Sequence, residues 1–220
     1  MRVSRLMMVV PCVLVMSTTA FAQQAPAAPA PAMQRYVAAL GGAALSSDAA
    51  VTVGVEYGER VSQHAIAFVN YQYYDDLMSS QMKDNLTLAG TQITAATGVT
   101  RAFSGRDRGL AFTAGAKFGP TSGGVQPFAG GAVGGLNLRR TVTEASLGDV
   151  TASFAGQTGL GDGVVTAGQT TATKALVMGI VGVRLVKKQS YVDVTYRYGK
   201  AFHGTTLDFS QVTVGLGVAF

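Results

Sequence analysis

The chain ends in the ten residues QVTVGLGVAF, from Gln211 to Phe220, in which large apolar side chains alternate with small or polar ones. Successive side chains of a β-strand point to opposite faces, so this period of two predicts a strand that is apolar on one face. Such strands are typical of transmembrane β-barrels, whose outer faces contact lipid. The large apolar positions are Val212, Val214, Leu216, Val218 and Phe220.

The same alternation recurs upstream in seven further segments, so the sequence predicts eight strands. An even number of antiparallel strands returns both chain ends to one side of the membrane, which we assign as the periplasm. We therefore predict an all-β protein, an eight-stranded antiparallel up-and-down transmembrane β-barrel in the bacterial outer membrane. The seven segments are residues 35–45, 50–57, 63–74, 110–119, 125–139, 175–186 and 191–198.

The composition agrees with a membrane barrel. Hydrophobic residues make up 48% of the chain and charged residues 13%, yet no segment after the first 22 residues is long and apolar enough for a membrane helix. A soluble lipocalin-like barrel is the rival, but its exterior needs more polar side chains than the chain has. The formal net charge of +5 comes without a basic run, so nucleic acid is not an expected partner.

The first 22 residues resemble a secretory signal peptide. Arg2 and Arg5 precede an apolar run over residues 6–16, and Ala20 and Ala22 are the small residues that a signal peptidase reads. We predict cleavage after Ala22, a Pro- and Ala-rich periplasmic lead-in over residues 23–34, and the barrel over residues 35–220. The only cysteine lies within the leader, so no thiol chemistry is expected.

The connections between the predicted strands are unequal in length. Residues 58–62, 120–124 and 187–189 read as short periplasmic turns, whereas 75–109 and 140–174 read as two long outer loops beside two short ones, 46–48 and 202–208. This asymmetry is usual in outer-membrane barrels. Aromatic residues at the strand ends predict two interfacial girdles: Tyr36, Tyr57, Tyr191 and Phe220 on the periplasmic side, and Tyr71, Tyr73, Tyr198 and Phe202 on the outer side.

The first long loop contains a stripe of apolar residues at helical spacing, with Ser79 or Ser80 available as an N-cap and Gly98 as a stop. A short amphipathic helix is the favoured interpretation, and a ninth strand over residues 86–103 is the alternative. The stripe must pack on the rim, on lipid or on a partner, so Met82, Leu86 and Ile93 are the candidate loop contacts. Ala89 and Ala96 complete the stripe. The second long loop, rich in Gly, Thr, Ser and Ala, is expected to have no single conformation.

Charged residues fall on the predicted inner faces of several strands. An eight-stranded barrel is just wide enough for side chains to fill, and buried charges must pair. We predict that Glu56 and Asp193 pair with some of Lys117, Arg184 and Arg197 in a structural network; a gated, narrow ion pore is the alternative. Asn70, Gln72, Asn137 and Arg139 are also expected to point inward.

Catalytic and cofactor signals are weak. His64 begins a strand, and His203 and Asp208 share an outer loop with hydroxyl residues. Some small barrels deacylate lipid A through a His-x-Ser-Asn type motif, but His203 is followed by Gly-Thr-Thr. The glycine-rich residues 130–135 lack the helix of a dinucleotide site, and residues 159–163 supply a single carboxylate where calcium needs several oxygen ligands. No catalytic site, metal or cofactor is therefore expected.

Three segments carry a resemblance to known proteins. The last strand resembles the outer-membrane insertion signal, which the barrel-assembly machinery binds. VQPFAGGAVG, from Val125 to Gly134, and VDVTYRY, from Val192 to Tyr198, resemble strands of the small opacity-type outer-membrane β-barrel family. The resemblance implies an eight-stranded barrel but no single function, since this fold hosts adhesins, structural anchors and lipid-modifying enzymes.

The expected role is accordingly structural, or surface interaction through the outer loops; a lipid-modifying enzyme or a narrow pore is the alternative. The expected partners are outer-membrane lipids, periplasmic chaperones and the assembly machinery. The surface ligand is open, and the chain is expected to be a monomer.

Overall fold

The computed structural model describes residues 34–45, 49–155, 170–202 and 206–220. The predicted signal peptide with its cleavage residues Ala20 and Ala22, nearly all of the lead-in, the 46–48 loop and His203 lie outside the described residues. Eight strands form the barrel: β1 (Arg35–Leu45), β2 (Ala49–Ser62), β3 (Ala65–Tyr74), β4 (Phe103–Phe118), β5 (Val125–Glu144), β7 (Thr171–Lys187), β8 (Ser190–Phe202) and β9 (Leu207–Ala219). A two-residue strand β6 (Gly148–Asp149) pairs with the end of β5.

Each barrel strand pairs antiparallel with the barrel strands before and after it in the chain, and β1 pairs with β9 to close the cylinder. At the seam, the Arg35 and Phe220 backbone amides each donate to the other residue's carbonyl at 3.0 Å. Closure removes every exposed edge, as a bilayer requires. The predicted eight-stranded up-and-down barrel is confirmed.

The alternation in the sequence corresponds to side chains that point alternately out of the barrel and into its interior. In β2, Val51, Val53 and Val55 are 64%, 50% and 54% exposed, whereas Thr52 between them is fully buried. The outward residues of the other strands repeat this pattern, with exposed valine, leucine, tyrosine and phenylalanine around the barrel. Apolar side chains in such a continuous belt are stable in lipid rather than in water.

The predicted helix is also confirmed, and the ninth-strand alternative is wrong. Helix α1 (Ser80–Thr97) begins at the N-cap Ser79, whose hydroxyl accepts from the Met82 amide, and ends at Gly98 in the left-handed conformation (φ 70°). A five-residue helix, α2 (Thr151–Ala155), follows β6. Neither helix in the described part of the chain is long and apolar enough to cross a membrane.

Several strands run further than predicted. Residues 58–62 belong to β2 rather than to a turn, and the first long loop ends at residue 102. The segments Phe103–Arg108 and 139–144 form a two-stranded ribbon beyond the point where β3 ends opposite Gly109. We call this side of the barrel the loop end, and the side carrying the 63–64, 119–124 and 188–189 turns the turn end. The structure describes the second long loop through residue 155, as the end of β5, β6 and α2. Residues 156–169 lie outside the described part.

The interior has an apolar layer near the loop end. It contains Tyr74, Leu77, Leu136, Leu138 and Phe209, all nearly inaccessible to solvent. The prediction that Asn137 and Arg139 point inward is wrong: both are exposed, and β5 turns Leu136 and Leu138 inside instead. Asn70 and Gln72 do point inward. Toward the turn end the interior becomes charged.

Candidate functional site

The charged layer of the interior centres on Glu56 of β2. Its carboxylate accepts from the Lys117 ammonium, from Arg197 Nη2 at 2.8 Å and from the Tyr36 hydroxyl at 2.7 Å. All four side chains are buried. Three donors on one carboxylate offset the desolvation that each charge suffers, which is the condition for a buried ion pair to persist.

The second ion pair lies on the neighbouring wall. The register sets Arg184 of β7 directly opposite Asp193 of β8, and Arg184 Nη2 donates to Asp193 Oδ2 at 3.1 Å. The Arg184 guanidinium lies 4.3 Å from the Tyr36 ring centroid and 4.2 Å from that of Tyr191. The structure thus brings all five residues of the predicted network into one layer. The predicted girdle places of Tyr36 and Tyr191 are wrong, because both rings point inward and hold this arginine.

Neutral polar side chains connect the charged layer to the apolar one. Gln72 Nε2 donates to Thr52 Oγ1 at 2.8 Å and to Gln211 Oε1 at 3.0 Å. These residues are fully buried. Charged, amide and apolar layers therefore follow one another along the axis, an arrangement suited to holding the wall rigid.

The second feature with functional potential is at the loop end, where α1 packs on the inner face of the ribbon. Met78, Met82, Leu86 and Val142 form a buried cluster there, with Phe103 packed against it. Two of the three candidate contacts, Met82 and Leu86, are thus occupied within the molecule. Of the three surfaces that the stripe was expected to pack on, these two residues use the rim of the barrel, which the ribbon extends, and they are not available to a partner.

A polar frame fixes the base of this unit. Arg140 Nε and Nη2 donate to the two oxygens of the Asp107 carboxylate at 2.8 and 2.7 Å. Both residues are buried. Asp76 Oδ1 accepts from the Met78 and Asp107 amides at 2.9 and 3.0 Å. The segment leading into α1 is therefore tied to the β4 strand by paired charges and backbone contacts. We call α1 and the ribbon together the platform.

The tip of the ribbon is held by a carboxylate that sequence analysis missed. Glu144 Oε2 accepts from the Ser146 hydroxyl at 2.6 Å and from the Ser146 and Leu147 amides at 2.9 and 2.7 Å. Arg101 lies 3.4 Å from the same oxygen. The Ser146 hydroxyl bond, ahead of the amides and Arg101, lowers the pKa of Glu144 below its ordinary value. A Glu-x-Ser turn at a hairpin tip is the signal that could have identified it.

The outward face of α1 has no charged residue after Asp84 and exposes several apolar side chains. Leu88 and Ile93 are 57% and 38% exposed, and Val99 just past the helix is 53% exposed. Thr87, Thr91, Thr94 and Thr97 each donate their hydroxyl to the carbonyl four residues earlier. Those hydroxyl protons are thereby used within the helix, which makes this face less polar than its threonines suggest.

A groove of about 520 Å³ runs between α1 and residues 100–103. Gly90 sets its width, because a Cβ there would lie 2.6 Å from the Arg101 carbonyl oxygen. Arg101 is fixed in turn by its amide, which donates to Thr94 Oγ1 at 3.0 Å. The remaining wall is formed by Leu86, Thr87, Thr91, Ala95, Thr100, Ala102 and Phe103. The groove is shaped to take an uncharged, largely apolar ligand.

The described residues supply little for catalysis. Asp208, considered with His203 as part of a hydrolase site, is exposed and lies 3.6 Å from Lys200 Nζ. Within the described ranges, no group of three or more His, Cys, Asp and Glu side chains is placed to hold a metal ion. Four residues of the predicted insertion signal point outward from β9, and the fifth, Phe220, directly follows the strand. Leu216 and Phe220 are 61% and 63% exposed.

No family model and no curated protein sequence matches the chain. Among solved structures, it is similar to Neisserial surface protein A (NspA), at 16% identity and a TM-score of 0.51 over 84% of this chain and 96% of that one. Ail, the attachment invasion locus protein of Yersinia pestis, gives 10% identity and a TM-score of 0.47 with the same coverages. The N-terminal β-barrel domain of Pseudomonas aeruginosa OprF gives 12% and 0.46 over 86% and 99%.

The similarity to Neisserial surface protein A, at a TM-score of 0.51, shows a shared fold and no shared activity. A closed, single-chain, eight-stranded antiparallel barrel with an apolar outer belt is a structure of the bacterial outer membrane. The protein is therefore an outer-membrane β-barrel.

Proposed function

We propose that the barrel serves as a rigid membrane anchor for the platform, and that the outward face of α1 and its groove bind a partner at the cell surface. Outer-membrane barrels direct short turns to the periplasm and long loops outward. We therefore assign the loop end, with the platform, to the cell exterior.

The main support for this proposal is that an 18-residue helix packs firmly on the ribbon while Leu88 and Ile93 on its outer face stay exposed. A purely structural barrel needs only short, polar connections on this side. Here Met82 and Leu86 fix the helix, Asp107 and Arg140 fix its base, and Leu88 and Ile93 stay in contact with solvent. Exposed apolar surface on an ordered scaffold is typical of a binding site.

Photo-crosslinking on living cells tests this proposal. A photoreactive phenylalanine analogue replaces either Leu88 or Ile93, and in a control strain it replaces Val53 in the lipid-facing belt. We expect protein adducts from the two helix positions and lipid adducts alone from the control. Adding Leu88→Glu to the position-93 strain should remove the adduct, since a charge beside Ile93 opposes docking. Gln81→Glu, which adds the same charge at an exposed position in the first turn of α1, should leave it.

Folding is checked in each strain by heat-modifiable migration on a detergent gel. Folded barrels that yield no protein adduct from either helix position, or an adduct that Leu88→Glu leaves unchanged, would contradict surface interaction by α1. A structural anchor role would then be favoured.

A further inference from the structure

The outer face of the ribbon, opposite to α1, carries two arginines in direct register. Leu110 and Phe112 on β4, and Val133 on β5, face lipid on this side. Arg108 lies on the same face, two residues further toward the loop end than Leu110, and pairs directly with Arg139 of β5. Both arginines are exposed. Side chains directly opposite on antiparallel strands have Cβ atoms about 5 Å apart, so both guanidinium groups can reach one anion.

The carboxylates nearby are too few to neutralise the outer face. Asp75 is 3.3 Å from the neighbouring Arg106 and is engaged there. Asp149 interacts electrostatically with Arg139, and its carboxylate also accepts from the Thr151 side chain and amide. The outer face thus has three guanidinium groups and two carboxylates. Like charges directly opposite on a sheet destabilise it unless a counter-ion is shared.

The distance of Arg108 and Arg139 from the apolar belt indicates which anion they contact. Tyr71 pairs with Phe112 and Tyr73 with Leu110, so these tyrosines mark the membrane interface on this wall. Arg108 lies two strand residues further out, about 6.5 Å along the strand. The headgroup layer extends roughly 5–7 Å beyond the hydrocarbon on each side. The two guanidinium groups therefore lie at the depth of lipid phosphates.

We propose that Arg108 and Arg139 form a clamp for the phosphate group of an outer-leaflet lipid. Guanidinium forks match phosphate oxygens in pairs, and one phosphate removes the repulsion between the two arginines. The exposed Thr171, which pairs with Arg139, adds a hydroxyl donor at the same level. This site faces the bilayer and is separate from the α1 groove. It rests on the proposed assignment of the loop end to the cell exterior, but it does not depend on partner binding by α1.

The test measures lipid binding to purified, folded protein in mixed detergent micelles by native mass spectrometry. The probes are phosphatidic acid, diacylglycerol with the same acyl chains, and inorganic phosphate. We expect phosphatidic acid to bind, diacylglycerol to bind at least about tenfold more weakly, and Arg108→Gln or Arg139→Gln each to weaken phosphatidic acid binding about tenfold, the loss expected for one charge-assisted contact. Arg106→Gln is the matched control, because Arg106 already has Asp75 as a partner.

Equal binding of phosphatidic acid and diacylglycerol would overturn the proposal even if a variant failed to fold, because that comparison uses the unaltered protein. Equal weakening by Arg106→Gln would show a general effect of positive charge rather than a clamp. Displacement of phosphatidic acid by inorganic phosphate at the same concentration would identify a site for soluble phosphate and would refute the lipid assignment.

Discussion

Neutralising Glu56 is the sharpest test of how the barrel is held together. Glu56→Gln keeps the shape of the side chain but removes the charge that Lys117 and Arg197 share. Removing one partner of a buried pair costs about 3–5 kcal/mol, because an uncompensated charge stays behind. Here two cations lose their counter-ion, so we expect the upper part of that range, a large fraction of the about 5–15 kcal/mol that stabilises a typical domain.

The assay is reversible urea unfolding in phospholipid vesicles. Because the chain has no tryptophan, circular dichroism and the migration of the folded band replace intrinsic fluorescence as the readout. Glu59→Gln is the matched control on the same strand: Glu59 pairs with Arg35 at 3.1 Å, but both side chains are about half exposed, so only a small change is expected.

A second variant separates electrostatics from packing. Combining Glu56→Gln with Lys117→Met removes one of the two stranded cations and should recover part of the lost stability. A loss below about 0.5 kcal/mol for Glu56→Gln, the range of ordinary surface substitutions, would refute the idea that the charged layer stabilises the barrel.

Four further predictions follow from the described structure. Leu138→Ala should cost about 2–5 kcal/mol in the same unfolding assay, since it leaves a cavity in the apolar layer, whereas Arg139→Ala should stay within about 0.5 kcal/mol; equal costs would contradict the observed phase of β5. Because the pKa of Glu144 is lowered, its stabilisation of the tip is present above the unfolded pKa and lost as pH falls through the folded one. The Ser146 amide resonance should accordingly titrate with a midpoint below the ordinary glutamate pKa, and a midpoint above it would be inconsistent with the tip contacts. Phe220→Ser should lower the amount of inserted protein in outer-membrane fractions, and unchanged levels would count against an insertion signal. Purified barrel in planar bilayers should show little conductance, and steady porin-like openings would disprove a filled interior.

The phase of β5 shows where sequence patterns stop being informative. Between Ala129 and Gly135 the strand contains mostly glycine and alanine, which fit either face and so erase the period of two. Without that reference, the sequence pattern places the polar Asn137 and Arg139 in the interior. The structure has the opposite phase, because the loop-end interior is apolar and the outer face has already left the hydrocarbon at Arg139.

The helix shows a different limit. Its caps were readable because capping uses local contacts, Ser79 with Met82 and Gly98 with Thr94. How much of its apolar stripe is buried depends on a distant partner, the ribbon. The ribbon covers Met82 and Leu86 but not Ile93. Its own residues Ser104, Arg106 and Arg108 lie beyond the hydrocarbon core, so they lack the apolar alternation that identifies a membrane strand.

The five charged residues of the network could be assigned to the interior from alternation, whereas the pairs that they form could not. Alternation predicts whether a side chain points inward or outward, but not which side chains of other strands it contacts in the interior. Tyr36 and Tyr191 illustrate the consequence: as aromatic residues at strand ends they matched an interfacial girdle, yet Arg184 draws both rings inside. Only the closed register, with Arg184 opposite Asp193, determines that arrangement.

The apolar layer of the barrel and the platform are one packed unit, and this constrains how the proposed surface interaction can be tested. Leu77, which precedes α1, lies in the same core as Leu136 and Leu138, and a Cβ on Gly109 would come within 2.8 Å of it. The next residue, Met78, belongs to the cluster under α1. Removing the whole first loop would therefore open the barrel core as well as delete the proposed binding face. The side chain of Leu88 is exposed and lies outside both clusters, so a substitution there tests the proposed recognition while the barrel beneath stays folded.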